Sequence, residues 1–385
     1  MATERLIVKN FGPIQEADLD LRKVTVLIGE QASGKSVLAK LVATFGEVLL
    51  NKEALQSILN YFEINTFIKP DSEVEYSNQA YRHHYQRNDL AKSFSDKYLE
   101  ELFFDYVRTE SAIREMLIPA TVRSEEGRAK LRELREKNSQ LRKELRVLTQ
   151  LYEYILAERV IISTLAKSLF QIIDRNISLP RFLTNFASEF EIAREQYSKI
   201  YLPPLGITYL FENNQNKVRL KTGEKIDMEL SASGFQSLIP LLLVVENRSN
   251  LDNQVFIIEE PELNLYPTTQ KKLVEYLIEK CTKGDNRLIV TTHSPYILTA
   301  LNNCIEANNV LKSNPEAKDK VNKLVPPESQ IAYEDVAAYF VANGTAKSIM
   351  NEGYQMIDAN ALDDVSEELA RVYDSLLDLK YQPQD

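Results

Sequence analysis

Apolar and polar positions divide the chain into stretches of different rhythm. Leu6-Ile7-Val8-Lys9-Asn10-Phe11 reads as a strand closing on a Gly12-Pro13 turn, and Ala17-Asp18-Leu19-Asp20-Leu21 alternates as a half-exposed strand does. An unbroken apolar run, Val24-Thr25-Val26-Leu27-Ile28, then leads through a loop into a helical pattern from about Val37. From about residue 50 to 200 glycine almost disappears, and the expectation is a helical insert. Within it Leu131, Leu134, Asn138, Leu141, Leu145, Leu148, Tyr152 and Ile155 follow at spacings of 3, 4, 3, 4, 3, 4 and 3, a coiled-coil seam over 131–155 with one polar register residue. Such a seam pairs with Phe94 to Leu117 as a short antiparallel arm, pairs between protomers, or packs as an amphipathic helix on its own domain.

Leu202-Pro203-Pro204-Leu205 marks a boundary. A hairpin is expected from Ile207–Phe211 and Val218–Leu220, followed by an α/β alternation. Its helices are 234–247, 268–281 and 295–304, and its strands are 255–259 and 288–292. Residues 307–330 read as linker and Tyr333 to Leu379 as an acidic helical segment. The predicted division is a core in two parts, 1–49 and 201–306, an insert at 50–200, and a linker with helical tail at 307–385.

Composition narrows the classes. An apolar fraction of 44% is that of a globular chain, and a formal charge of −10 confines any nucleic-acid contact to a local basic stripe. The heptad stretch supplies one, with Arg132, Arg135, Lys137, Arg142, Lys143 and Arg146 among its polar positions. Residues 66–92 are polar and tyrosine-rich, and read either as a base-stacking surface or as a solvated helical lobe diluted by Asp71, Glu73 and Glu75. The two cysteines, Cys281 and Cys304, make neither a disulfide framework nor a zinc site. The first residues carry no signal-peptide core, and the run Leu238 to Val245 is too short to span a bilayer, so a cytoplasmic protein without a membrane is expected.

The chemistry sits at strand ends. Gly29-Glu30-Gln31-Ala32-Ser33-Gly34-Lys35-Ser36 matches G-x-x-x-x-G-K-[ST], between a strand and a helix. Gly29 and Gly34 permit the loop, Lys35 would reach β- and γ-phosphates, and Ser36 would sit on Mg²⁺. A second apolar strand delivers Glu259-Glu260-Pro261-Glu262, which suits a Walker B element: Glu259 toward the metal shell, Glu260 as the base that orients water. Glu259 stands where aspartate is usual. A third strand ends on His293, one of three histidines, where a γ-phosphate sensor belongs.

With Leu230-Ser231-Ala232-Ser233-Gly234-Phe235-Gln236, Glu259 to Pro267 and Thr292-His293-Ser294-Pro295 in this order, the chain resembles the SMC/RecF/OLD group of ABC-type ATPases. More narrowly it is similar to bacterial AAA-family ATPase subunits of anti-phage systems such as Septu, PARIS and some retron cassettes. The resemblance implies an α/β ABC-type P-loop core of mixed sheet and flanking helices. It also implies ATP and Mg²⁺ as ligands and a homodimer or higher oligomer enclosing nucleotide. Ser233 with Gly234 then contacts the γ-phosphate from the other subunit, with Ser231 the alternative. Tyr266-Pro267 replaces the group's usual His-Pro, and Glu158-Arg159 are candidates for a further site contact. No Toprim nuclease is expected in the tail, since Glu352 and Asp363-Asp364 lack the Asp-x-Asp spacing. The implied function is an ATPase that senses or clamps DNA or a foreign trigger and gates a separate effector, with a nuclease as the expected subunit. A RecF-like repair ATPase and an ATP-stabilised scaffold are the alternatives.

Overall fold

The computed structural model describes residues 4–47, 52–95, 97–116, 125–148, 150–165, 179–358 and 371–372. Strands β1 (Glu4–Phe11) and β2 (Ile14–Leu21) pair antiparallel, and β3 (Val24–Ile28) runs into helix α1 (Lys35–Phe45). Helix α2 (Lys52–Tyr61) is followed by a meander of β4 (Glu73–Ser77), β5 (Tyr81–Gln86) and β6 (Asp89–Phe94). Helices α3 (Lys97–Met116) and α4 (Glu125–Leu148) lead to β7 (Leu151–Ile155), α5 (Val160–Leu165) and α6 (Arg181–Gln196). A separate antiparallel sheet holds β8 (Lys199–Leu202), β9 (Ile207–Glu212), β10 (Gln215–Arg219) and β11 (Lys225–Asp227). Then come α7 (Ser233–Arg248), β12 (Gln254–Glu259), α8 (Pro267–Cys281), β13 (Arg287–Thr292), α9 (Pro295–Ser313) and α10 (Lys318–Leu324). The described chain closes with β14 (Val336–Ala342), β15 (Thr345–Ser348), β16 (Met350–Asn351) and β17 (Met356–Ile357), apart from a helical pair at 371–372.

One sheet of eleven strands organises the molecule, in the order β6-β5-β4-β1-β2-β15-β14-β3-β13-β12-β7. From β14 to β7 all pairings are parallel, whereas β14/β15 and β2/β1/β4/β5/β6 are antiparallel. The parallel strands are covered on both faces, which is why they read as continuous apolar runs rather than alternations. Val24, Val26, Ile28, Phe256, Ile258, Leu288 and Val290 enter the core with α7, α8 and α9. Leu27, Val255, Ile257 and Ile289 enter the core on the other face with α1, α2 and the antiparallel strands. The expected α/β P-loop core is therefore present. Because β13 lies between β3 and β12, the ends of three successive parallel strands converge on one edge.

Three expectations are corrected. The interruption at 50–200 is not helical throughout: β4, β5, β6 and β7 within it are strands of the main sheet. Tyr76, Tyr81, Tyr85 and His83 point into the core, so residues 66–92 form neither a base-stacking surface nor a helical lobe. The heptad seam also stops at α4. Tyr152 and Ile155 belong to β7, which pairs with β12 at Val255 and Ile258. Leu131, Leu141 and Leu145 are buried on α4. Leu141 and Leu145 share a core with Leu99, Leu102, Phe103 and Tyr106 at the start of α3, so the two helices fold back on each other. Likewise the stretch after residue 306 is neither linker nor helix to its end. α9 runs to Ser313, α10 follows it, and β14–β15 enter the main sheet. Leu117 and Asp363-Asp364 lie outside the described residues, as do 359–370 and 373–379 of the expected acidic helix. Among the described residues no helix is long and apolar enough to cross a membrane, and Cys281 and Cys304 are buried free thiols.

Candidate functional site

The loop after β3 bends through positive φ at Gly29 (156°) and Gly34 (107°), where glycine permits it, and at Ala32 (58°), where a Cβ makes it strained. A Cβ on Gly29 would overlap the Val341 carbonyl at the end of β14, and one on Gly34 would overlap the Ile14 side chain. Gly34 caps α1, so Lys35 and Ser36 occupy its first turn, where unpaired backbone amides face outward and favour anions. Lys35 is buried, and its Nζ donates to Gly29 O (2.9 Å) and Glu30 O (2.7 Å). Burial pushes this ammonium below the usual lysine range, against the pull of Glu260, Glu262 and Glu259.

Glu259 ends β12, and Glu260 follows it with a left-handed backbone, φ 42°. Its amide donates to Thr291 O (2.8 Å) on β13. The Glu260 carboxylate lies 2.6 Å from His293 Nε2, and the opposite ring nitrogen, Nδ1, lies 2.8 Å from Gly29 O and 3.4 Å from Lys35 Nζ. Lys35, Glu260 and His293, 258 positions apart at the extremes, thus meet through the ends of three neighbouring strands. Glu259 is buried beside them, its Oε1 accepting from Tyr154 OH (2.7 Å) on β7 and its Oε2 from Ala157 N (3.4 Å). Burial, then the Glu259 charge, pushes the Tyr154 phenol well above its usual range.

Sequence reasoning assigned no role to Glu262 or Tyr154. Glu262 Oε1 accepts from Thr292 Oγ1 (2.5 Å) and His293 N (2.9 Å), which fixes the backbone that carries the histidine. The signal was present in Glu260-Pro261-Glu262, since a second carboxylate two residues on returns toward the same strand end. Arg159, nominated with Glu158, is fully buried behind the paired glutamates. Ser233 is exposed at the start of α7, and Gly234 backs onto Asn264 O in the turn after the glutamates. None of the hydrogen bonds described joins Ser233 to Lys35, Glu260 or His293 of the same chain. Tyr266 is exposed on the same turn.

The donor set fits a hydrated Mg²⁺. Ser36 and three carboxylates offer hard oxygen ligands, and Glu262 Oε2 is buried with no hydrogen-bond partner. Among the described residues no three His, Cys, Asp or Glu side chains are grouped to hold a metal alone. Mg²⁺ bound together with nucleotide would take one or two of its oxygens from the protein and the rest from phosphates and water.

A phosphate-cradling loop, an adjacent lysine and strand-borne carboxylates together define a P-loop nucleoside triphosphatase. The AAA ATPase domain family matches residues 1–162 and 51–298, and the chain belongs to that family: the protein is an ATP hydrolase. No curated protein sequence matches the chain. Among solved structures it is similar to the Smc head domain with extended coiled coil from Pyrococcus furiosus, bound to the C-terminal domain of ScpA, at 12% identity over 96% of this chain and 100% of that one, TM-score 0.39. The SMC head domain from Thermotoga maritima is 11% identical over 91% of this chain and 98% of that one, TM-score 0.41. The recombination mediator protein RecF is 12% identical over 91% and 98%, TM-score 0.37.

Proposed function

We propose that the protein is a Mg²⁺-dependent ATPase whose site is completed by a second copy of the chain, and that this ATP-driven pairing gates a separate effector. The carrying observation is the convergence of Lys35, Glu260 and His293 beside the Gly29 carbonyl. In this reading Lys35 and the α1 amides bind the β- and γ-phosphates. Glu260 accepts the proton of the attacking water, and His293 holds the Glu260 carboxylate in place and faces the γ-phosphate. Ser36 and Glu259 would hold Mg²⁺, which when bound neutralises charge on the phosphate oxygens. Ser233, exposed at the helix start and joined by none of the described hydrogen bonds to its own Lys35, is available to the γ-phosphate of a partner copy.

The sequence resemblance supports the biological setting: defence against phage, with DNA or a foreign protein as trigger and a nuclease as effector. DNA contact is assigned to α4, where Arg128, Lys130, Arg132, Arg135, Lys137 and Lys143 are exposed and, among the side chains described, Glu133 and Glu136 are the exposed carboxylates. The test is phosphate release and light-scattering mass with saturating Mg-ATP. The parent should hydrolyse and double its mass. Lys35→Met should lose about 100-fold or more in nucleotide affinity, from the lost charge-assisted phosphate contacts, and stay single. No turnover by the parent refutes the enzyme. An unchanged plaque count in cells carrying Lys35→Met, compared with the parent, refutes the defensive role.

A further inference from the structure

Arg159 is fully buried where three elements meet, and among the described residues its hydrogen bonds all go to backbone carbonyls. Nε donates to Ser237 O in α7 (3.1 Å), and Nη1 donates to Leu156 O (3.0 Å) and Glu259 O (2.7 Å). Nη2 donates to Glu260 O (2.8 Å). Burial pushes the guanidinium down to about 10, opposed by Glu262, Glu259 and Glu260, so it stays charged at neutral pH. A buried cation is a poor way to fill volume, because apolar side chains of the same size do so without desolvating a charge. What an arginine adds is a rigid planar fork that reaches several acceptors at once.

Those acceptors are specific in position. The Glu260 peptide is held on one side by its own amide on Thr291 O (2.8 Å) and on the other by Arg159, which keeps a non-glycine residue at φ 42°. The same short segment supplies Tyr154 OH and Ala157 N to the Glu259 side chain. The third contact, Ser237 O, lies on the helix whose first residue is Ser233.

We propose that Arg159 is a positioning residue for hydrolysis: its guanidinium locks the Glu259–Glu260 backbone to α7, so that displacement of the helix bearing Ser233 shifts the Glu260 carboxylate against His293. This rests on the ATPase reading above. It makes engagement of Ser233 and placement of the base a single mechanical event, with Arg159 as the link.

The test is Arg159→Lys, which keeps the charge but replaces the fork by one nitrogen unable to span four carbonyls. The expected result is a fall in kcat of about 30-fold or more with ATP affinity within about 3-fold of the parent. The double variant should then fall no more than about 2-fold below Glu260→Gln alone, because both substitutions act through one group. Parental kcat in Arg159→Lys overturns the proposal. So does a loss of kcat matched by an equal loss of ATP affinity, which marks a purely structural role. Should the variant not fold, hydrogen exchange on the unmodified protein decides. Addition of a non-hydrolysable ATP analogue should change protection of the Glu260 amide and of the first turns of α7 by the same factor, within about tenfold. A change in one without the other overturns the link. A parent that binds ATP without hydrolysing it defeats the ATPase reading instead, while the exchange measurement still reports on Arg159.

Discussion

Replacing Glu260 by glutamine keeps the side chain's shape and removes its charge, so the consequence reads almost wholly as electrostatics and proton transfer. The carboxylate lies 2.6 Å from His293 Nε2, and the two side chains are 25% and 28% exposed. A pair this open to water contributes less than about 1 kcal/mol to stability, which moves the melting temperature by less than about 4 °C in a chain of this size. The rate effect is far larger. A general base contributes about 10²–10⁴, or about 2.7–5.4 kcal/mol of activation free energy at 1.36 kcal/mol per tenfold. Binding moves the other way. Lys35 and Arg159 face the three carboxylates of Glu259, Glu260 and Glu262, and the substitution removes the excess negative charge, which favours an anionic nucleotide. Glu260→Gln should therefore fold, bind ATP as tightly as the parent or more so, and lose at least about 100-fold in phosphate release. It should also accumulate in the paired form seen by light scattering. Hydrolysis at the parental rate with binding intact refutes the assignment of Glu260 as base.

Two further predictions concern stability. Gly234 lies in α7 with a would-be Cβ 2.7 Å from the backbone Asn264 O, so Gly234→Ala should cost about 1–3 kcal/mol despite alanine's better helix propensity. Gly223→Ala, with open space but φ 91°, is the comparison and should cost about 1–2 kcal/mol from backbone strain alone; equal stability of parent and Gly234→Ala in urea contradicts the close approach. Glu153 on β7 is pushed up to about 7 from 4.5 by burial and then Glu189, with Arg248, 3.4 Å away, opposing. The folded state therefore holds a proton that the unfolded state has released, and the contribution present below pH 4.5 is lost as pH rises to about 7. Glu153→Gln should raise the melting temperature at pH 8 and leave it unchanged at pH 4; the same shift at both pH values contradicts the linkage.

Most of the site was legible because its parts are local. A glycine loop between an apolar run and a helix, two carboxylates at a strand end, and a histidine at another strand end each carry their meaning within about ten residues. The residues that hold these parts in place were hidden because they act across the chain. Arg159 reaches carbonyls 78, 100 and 101 positions away, and Tyr154 reaches Glu259 across 105. β7 was misread because a five-residue run is too short to tell period two from a heptad, so Tyr152 and Ile155 continued the phase of α4. Period-two cues in the insert and tail were nonetheless present. Asn343-Gly344, at φ 50° and 75°, and Arg87-Asn88, at 52° and 62°, are tight hairpin turns, the first with a strong sequence signature.

What the sequence determined alone is the phosphate-binding loop, the parallel strands whose unbroken apolar runs demand cover on both faces, and the acidic and histidine ends that those strands present. Hydrophobic periodicity and turn chemistry act over a few residues and are written in the chain itself. Only the tertiary structure decided that β13 separates β3 from β12, that β4–β7 and β14–β15 complete the same sheet, and that Arg159 binds the glutamate backbone to α7. Strand order and long-range hydrogen bonds depend on which distant surfaces bury each other best. That competition among whole elements has no signature within any one of them.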